Sequence, residues 1–213
     1  MTKRYNSNQT IDNIISVSSK LFLEKGFEKT SMQDIASTAG ISKGAIYHHF
    51  NSKTEIISAV MENQKDTIAK SLDSWLDEST SLTGREKLIS ILEKNIESQE
   101  AHYLDNALKT QVKSSEFIVS YMQNCINESA PIFSKIIKEG VEDGSIITEY
   151  PDECAEVFFL LINIWCDPVV FKCDSNKLIK RLKFLQSLMR NLGVDIVSDE
   201  IVLKTNDLLN KIY

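Results

Sequence analysis

A chain of 213 residues with 42% apolar content can bury a core, either as one large domain or as a small domain joined to a larger one. Only seven glycines and three prolines interrupt it, which disfavours an all-β fold of short strands and favours long helices. The net charge of −6 argues against indiscriminate nucleic-acid binding, yet residues 1–60 hold seven Lys/Arg against five Asp/Glu, a net +2 that leaves −8 for the rest.

A slightly basic head on an acidic body suits a DNA-reading module fused to a part with other work. Residues 1–9 are polar and lack the apolar stretch of an export signal. The most apolar run, Val157 to Cys166, is interrupted by Asn163 and is about half the length of a membrane span. A cytoplasmic protein without a membrane segment is expected. Cys125, Cys154, Cys166 and Cys173 form no CxxC pair and read as reduced, buried thiols.

The first helix shows in Ile11, Ile14, Ile15, Ser18, Leu21 and Phe22, one stripe at a period of 3.6 residues. Gly26 ends it in the left-handed conformation, allowing Phe27 to fold back onto Phe22. Ser31 then caps a short helix over about Met32 to Ala39, with Asp34 near the positive helix end. Gly40 supplies a tight turn, Ser42 caps again, and a second short helix covers about Lys43 to His49. Ser52-Lys53-Thr54-Glu55 reads as a capping box that opens a long helix with Ile56, Ile57, Val60 and Met61 on its inner stripe. Small Ala36 and bent Gly40, with Ile35, Ala39, Ile41 and Ile46 inside, make the helix-turn-helix pattern, which leaves Lys43, Gly44, Ala45, Tyr47, His48 and His49 outward.

From Gly26 to Glu55 the sequence GFEKTSMQDIASTAGISKGAIYHHFNSKTE closely resembles the TetR family of transcriptional regulators. The resemblance is strong over about the first sixty residues, and beyond Val60 only the layout of a long acidic helical body matches. It implies phosphate contacts from Thr30 or Ser31, from Ser42, Lys43, Tyr47 and His49, and from Lys53 at the start of the long helix. Base reading falls to Gly44, Ala45 and His48. Ala45 offers only apolar contact, for instance to a thymine methyl.

After Gly84 two shorter helices are expected, one through Leu88, Ile91, Leu92 and Ile96 and one through Tyr103, Leu104, Leu108 and Val112. A longer segment, Glu116 to Val141, carries Pro131 in position to kink or divide it, and Gly140 and Gly144 are read as its end. Since the family binds effectors inside the central bundle, Tyr103, Phe117, Tyr121, Met122, Phe133 and Trp165 are the pocket candidates. Plain core is the alternative for each.

Asp152 to Cys166 is apolar nearly all round, including Phe158 and Ile162, and needs cover on more than one side. Leu178, Leu182, Leu185, Met189 and Leu192 recur at steps of 4, 3, 4 and 3, the spacing of a packing seam. Together these two stretches resemble the family's dimerising helices, which form a four-helix bundle across a twofold axis. Asp199 to Ile212 adds one further helix.

The expectation is thus an all-α chain: a helix-turn-helix DNA-binding domain over residues 1–52 and a helical effector-binding and dimerisation domain over 53–213. Its partners would be double-stranded operator DNA, a second copy and a small-molecule effector, with neither cofactor nor metal. Adjacent His48 and His49 point about 100° apart and cannot readily chelate one ion. His102 reads as structural, and Asp73 with Asp77 as solvated surface. Neither HExxH nor GxSxG occurs, which leaves an enzyme as the weaker alternative, alongside a ligand-binding or interaction dimer that reads no DNA.

Overall fold

A computed structural model describes residues 7–98, 102, 115–168 and 170–212, without the side chains of residues 7, 68, 73, 115–117 and 212. Tyr103 and the second of the two helices expected after Gly84 lie outside these residues, as does the side chain of Phe117. The described elements are all helical, and none is long and apolar enough to cross a membrane. The chain forms two compact units, the first running to Asp73 and the second resuming at Ser74, both on the same long helix.

The first unit holds α1 (Ser7–Lys25), α2 (Met32–Ala39), α3 (Lys43–His49) and α4 (Lys53–Glu78) as far as Asp73. Ile14, Leu21 and Phe22 of α1, Ile35 and Ala36 of α2, Ile46 of α3 and Ile56, Ile57 and Val60 of α4 make one core, each at most 5% exposed. Gly26 and Gly40 adopt φ of +80° and +68°, the left-handed region where a side chain is strained. The Gly26 turn brings Phe27 back onto Phe22, ring centroids 5.3 Å apart. At Gly40 the amides of Gly40 and Ile41 bond the free carbonyls of Ser37 and Ala36 and close off α2.

The second unit contains the end of α4, α5 (Gly84–Glu97), α6 (Ser115–Asn124), α7 (Ala130–Glu142), α8 (Pro151–Leu160), α9 (Ser175–Asn191) and α10 (Asp199–Ile212). Two π-helical turns, Cys125–Ser129 and Leu161–Trp165, extend α6 into α7 and α8 toward its end. Pro131 therefore neither breaks nor divides the long segment. It has no N–H to give, and the ladder widens one turn earlier, with Ala130 N–H bonding Cys125 O five residues back. Gly140, expected as a stop, lies buried inside α7. The helix continues to Glu142, and Gly144, at φ +80°, follows its end.

Phe133, Phe158 and Phe159 stack and tilt against one another at 4.8–5.8 Å in the core of this unit. The buried Arg181 guanidinium closes the α8–α9 connection. Its Nη1 donates to Trp165 O at 2.8 Å and Phe171 O at 3.0 Å, carbonyls near the negative end of the α8 segment. Helix α10 covers the seam of α9, tied there by Gln186 Nε2 donating to Val197 O at 3.0 Å and to Asp199 Oδ1 at 3.1 Å.

Candidate nucleic-acid interface

Three local devices hold α3 in place. Ser31 caps α2 in a reciprocal box: its hydroxyl accepts from Asp34 N–H at 3.1 Å while Asp34 accepts from Ser31 N–H at 2.9 Å. The Ser31 hydroxyl, followed by the Ser31 N–H, holds the Asp34 carboxyl below the usual carboxylate range. Ser42 Oγ accepts from Ala45 N–H at 3.1 Å and starts α3. At α4, Ser52 Oγ accepts from Glu55 N–H at 3.1 Å, but the Glu55 carboxylate reaches past Ser52 to Asn51 N–H at 2.7 Å. The box expected at Ser52 is displaced by one residue on its return leg.

With Ile46 fully buried beneath it, α3 turns Lys43, Gly44, Tyr47 and His48 to solvent, with Ala45 and His49 half-buried. Tyr47 is 45% exposed, unusual for a tyrosine beside a packed core. The His48 and His49 rings meet edge-on with centroids 5.2 Å apart. A Cβ on Gly44 would meet only Ser42 Oγ at 3.9 Å, so no packing demands glycine there. The absence of a side chain leaves the backbone of α3 open to close approach. This exposed strip of hydroxyl, imidazole, amine and bare backbone can donate to phosphate oxygens and meet base edges.

Two expected phosphate contacts face elsewhere. Thr30 is 1% exposed and its hydroxyl is aimed at the carbonyls of Gly26, 2.9 Å, and Leu21, 3.2 Å, where it closes the end of α1. Lys53 folds back on the turn after α1, its ammonium donating to Phe27 O at 2.6 Å. Ser31, exposed at the N-terminus of α2, keeps a position from which a phosphate can be met.

Of the pocket candidates, Tyr121, Met122, Phe133 and Trp165 have described side chains, and these four do not form one lining. Tyr121 is half-buried and its hydroxyl donates to Asn163 Oδ1 at 3.4 Å, inside the second π turn, whereas Met122 is 36% exposed and Phe133 is buried in the phenylalanine cluster. Trp165 lies edge-on to Phe184 at 5.7 Å. A groove of about 500 Å³ runs along α7 and α8 past Ile126, Pro131, Ser134, Lys138, Asp152 and Glu156, and Tyr121, Met122, Phe133 and Trp165, the pocket candidates whose side chains are described, are not among its lining residues.

The expected dimer seam is packed within a single chain. Leu178, Leu182, Leu185 and Met189 are at most 2% exposed and Phe158 is 3% exposed with no second copy present, because α10 and the α7–α8 core already cover them. A second copy would have to meet other side chains. Ile162 is half-buried, and Phe184, on the opposite side of α9, stands 56% exposed. The heptad steps announced a packing stripe without saying whether the partner was another chain or α10. Phe184 falls between those steps and carried no sequence signal beyond being an aromatic among lysines.

Residues 14–60 match the family model described as bacterial regulatory proteins, tetR family. Residues 102–187 match the tetracyclin repressor-like C-terminal domain. The HTH-type transcriptional repressor KstR2 of Mycolicibacterium smegmatis is 28% identical over 141 residues, 63% of this chain and 66% of that protein. The uncharacterized HTH-type transcriptional regulator YerO of Bacillus subtilis is 32% identical over an alignment covering 91% of this chain and 71% of that protein. The chain thus spans about two thirds of the length of these curated relatives. The crystal structure of RolR in complex with resorcinol superposes with a TM-score of 0.58 at 18% identity, covering 93% of this chain and 94% of that one, a likeness of fold. The chain belongs to the TetR family of bacterial transcriptional regulators.

Proposed function

We propose that the protein is a cytoplasmic homodimer that binds a palindromic operator through two copies of α3 and leaves it when a small molecule enters the second unit. One observation carries the reading. A seven-residue helix, too short to persist alone, is capped at Ser42 and anchored by buried Ile46 while it presents Lys43, Gly44, Tyr47 and His48 to solvent. Ser31, Ser42, Lys43, Tyr47 and His49 take phosphates, and Gly44, Ala45 and His48 face base edges. Repression is the sign of control supported by the KstR2 relative, itself named a repressor.

Release follows only if the effector prefers the conformation that does not fit DNA. Helix α4 is continuous from the first unit into the second and is the covalent route for that preference. For the effector site we favour the neighbourhood of Tyr121 and Asn163, where a π turn exchanges regular backbone bonding for side-chain hydrogen bonds. The RolR complex shows the same fold holding a small phenolic molecule, which supports a ligand of that size class.

The test is a duplex enriched from a random-sequence library by the unaltered protein. Lys43→Ala and Tyr47→Ala should each weaken its binding at least tenfold, and Lys43→Ala should flatten the salt dependence by about one unit of slope per lost phosphate contact. Folded, dimeric variants that bind at unaltered strength would overturn the assignment.

A further inference from the structure

We infer that Lys53 is a positioning residue that binds the start of α4 to the turn after α1, and that it keeps this hold while the head is on DNA. Its ammonium donates to Phe27 O at 2.6 Å, reaches Glu28 O at 3.4 Å, and sits 4.3 Å from the centroid of the Phe27 ring. Phe27 is itself only 5% exposed and rests on Phe22. The side chain therefore ends in a carbonyl-and-ring socket with its stem half-buried.

The socket suits a cation for two separate reasons. The Phe27 and Glu28 carbonyls follow the C-terminus of α1, the negative end of its dipole, and a charge-assisted bond there is stronger than one between neutral groups. The ring face adds attraction that grows as water is excluded. A lysine leaving this socket for an exposed phosphate would exchange both for one contact weakened by solvent and salt.

The Phe27 carbonyl also accepts Thr30 N–H at 3.2 Å, and Thr30 is followed directly by the Ser31 cap of α2. Lys53 thus grips the turn that aims the helix-turn-helix. Ile56, Ile57 and Val60, within two turns of Lys53, lie in the same core as Phe27. A shift in the first turns of α4 then carries the whole head with it and leaves the geometry within the head unchanged. This consequence rests on the operator-binding reading above, whereas the contact in the free protein does not.

Proton NMR of the full-length protein tests it. The Lys53 ε-methylene protons should lie upfield of the ordinary lysine position through the Phe27 ring current, and Phe27→Leu should return them to it. On titration with the enriched duplex the upfield position should persist, and Lys53→Met should change the salt slope by less than about half of the one unit expected per phosphate contact. An ordinary shift in the free protein overturns the inference, as does an upfield shift lost in the complex or a slope reduced by a full unit. If no duplex is bound, the operator reading falls, and the shift in the free protein alone decides the Lys53 contact.

Discussion

A Cβ atom on Gly84 would lie 2.3 Å from the backbone nitrogen of Gly140, so the first turn of α5 and the last turns of α7 cross backbone against backbone. The neighbours at Gly84 are main-chain atoms, including Gly140 Cα at 2.5 Å and Ile136 O at 2.7 Å, which cannot step aside. Gly84 N–H also donates to Asp143 Oδ2 at 2.7 Å, fixing the register of the crossing. At Gly140 the obstruction is different, the Ile146 side chain, with Cδ1 at 2.6 Å and Cγ1 at 2.8 Å.

Gly84→Ala should therefore lower stability by more than about 2 kcal/mol, as overpacking against an immovable surface does. Gly140→Ala should cost less, because the side chain of Ile146 can give where main chain cannot, and alanine favours the helix. Urea unfolding at fixed protein concentration would show the order, and a Gly140→Ala variant weaker than Gly84→Ala would contradict it.

Signals that act along the chain are legible in the sequence, and those that act across the fold are not. Helices α2 and α3 have the ends expected of them because Ser31, Ser42 and Gly40 act on neighbours three or four residues away. Gly140 reads as a stop, but it is held inside α7 by tertiary packing: a Cβ there would meet the Ile146 side chain, and its own backbone is the surface against which Gly84, 56 positions earlier, is packed. Thr30 and Lys53 carry the right chemistry for phosphate, but the bare carbonyls at the end of α1 compete for both, and only the fold puts them within reach. The π turns at Cys125–Ser129 and Leu161–Trp165 leave no mark in the apolar periodicity of their segments.

Several surface carboxylates have folded-state pKa values held below their ordinary ones. Asp34 owes this first to the Ser31 hydroxyl, Glu86 first to Thr83 N–H, and Asp152 first to the Lys138 ammonium. A depressed folded pKa means that the contribution is present above the unfolded value, about 4, and is lost as pH falls through the folded one. The urea midpoint should hold from pH 7 to 5 and drop below about pH 4. Asp34→Asn with Glu86→Gln should be weaker at pH 7 and flatter in acid, and Ser31→Ala should cost about 1 kcal/mol at neutral pH. An unaltered acid slope in the double variant would refute the assignment.

For the proposed dimer, burial within one chain separates two kinds of side chain on α9. Leu182 is 2% exposed and Phe184 56%, so Leu182→Ala should destabilise the fold by about 2–5 kcal/mol, while Phe184→Glu should leave the fold intact. If a second copy docks on the Phe184 and Trp165 side, Phe184→Glu should weaken dimerisation by about thirtyfold or more, the effect of losing an aromatic anchor. Sedimentation equilibrium with circular dichroism distinguishes the two. A Phe184→Glu protein that dimerises at unaltered strength places the interface elsewhere.

The thiols should react in an order set by burial. Burial pushes the Cys125 thiol up to about 11 and that of Cys166 to about 12, so at pH 8 little of either is thiolate, and thiolate is the reactive form. Cys154 is 1% exposed and beyond the reach of a reagent. Cys173, in the connection before α9, is half-buried, with its sulfur 3.5 Å from the Arg181 guanidinium. Iodoacetamide at pH 8 should therefore label Cys173 first in the native protein, by at least tenfold over the other three, and all four alike after unfolding in urea. Arg181→Met should loosen the Trp165 and Phe171 carbonyls as well, and so raise labelling of Cys166 next to Trp165. Peptide mass spectrometry reads both effects, and early labelling of Cys166 in the unaltered protein would show that the α8–α9 connection opens without losing its arginine.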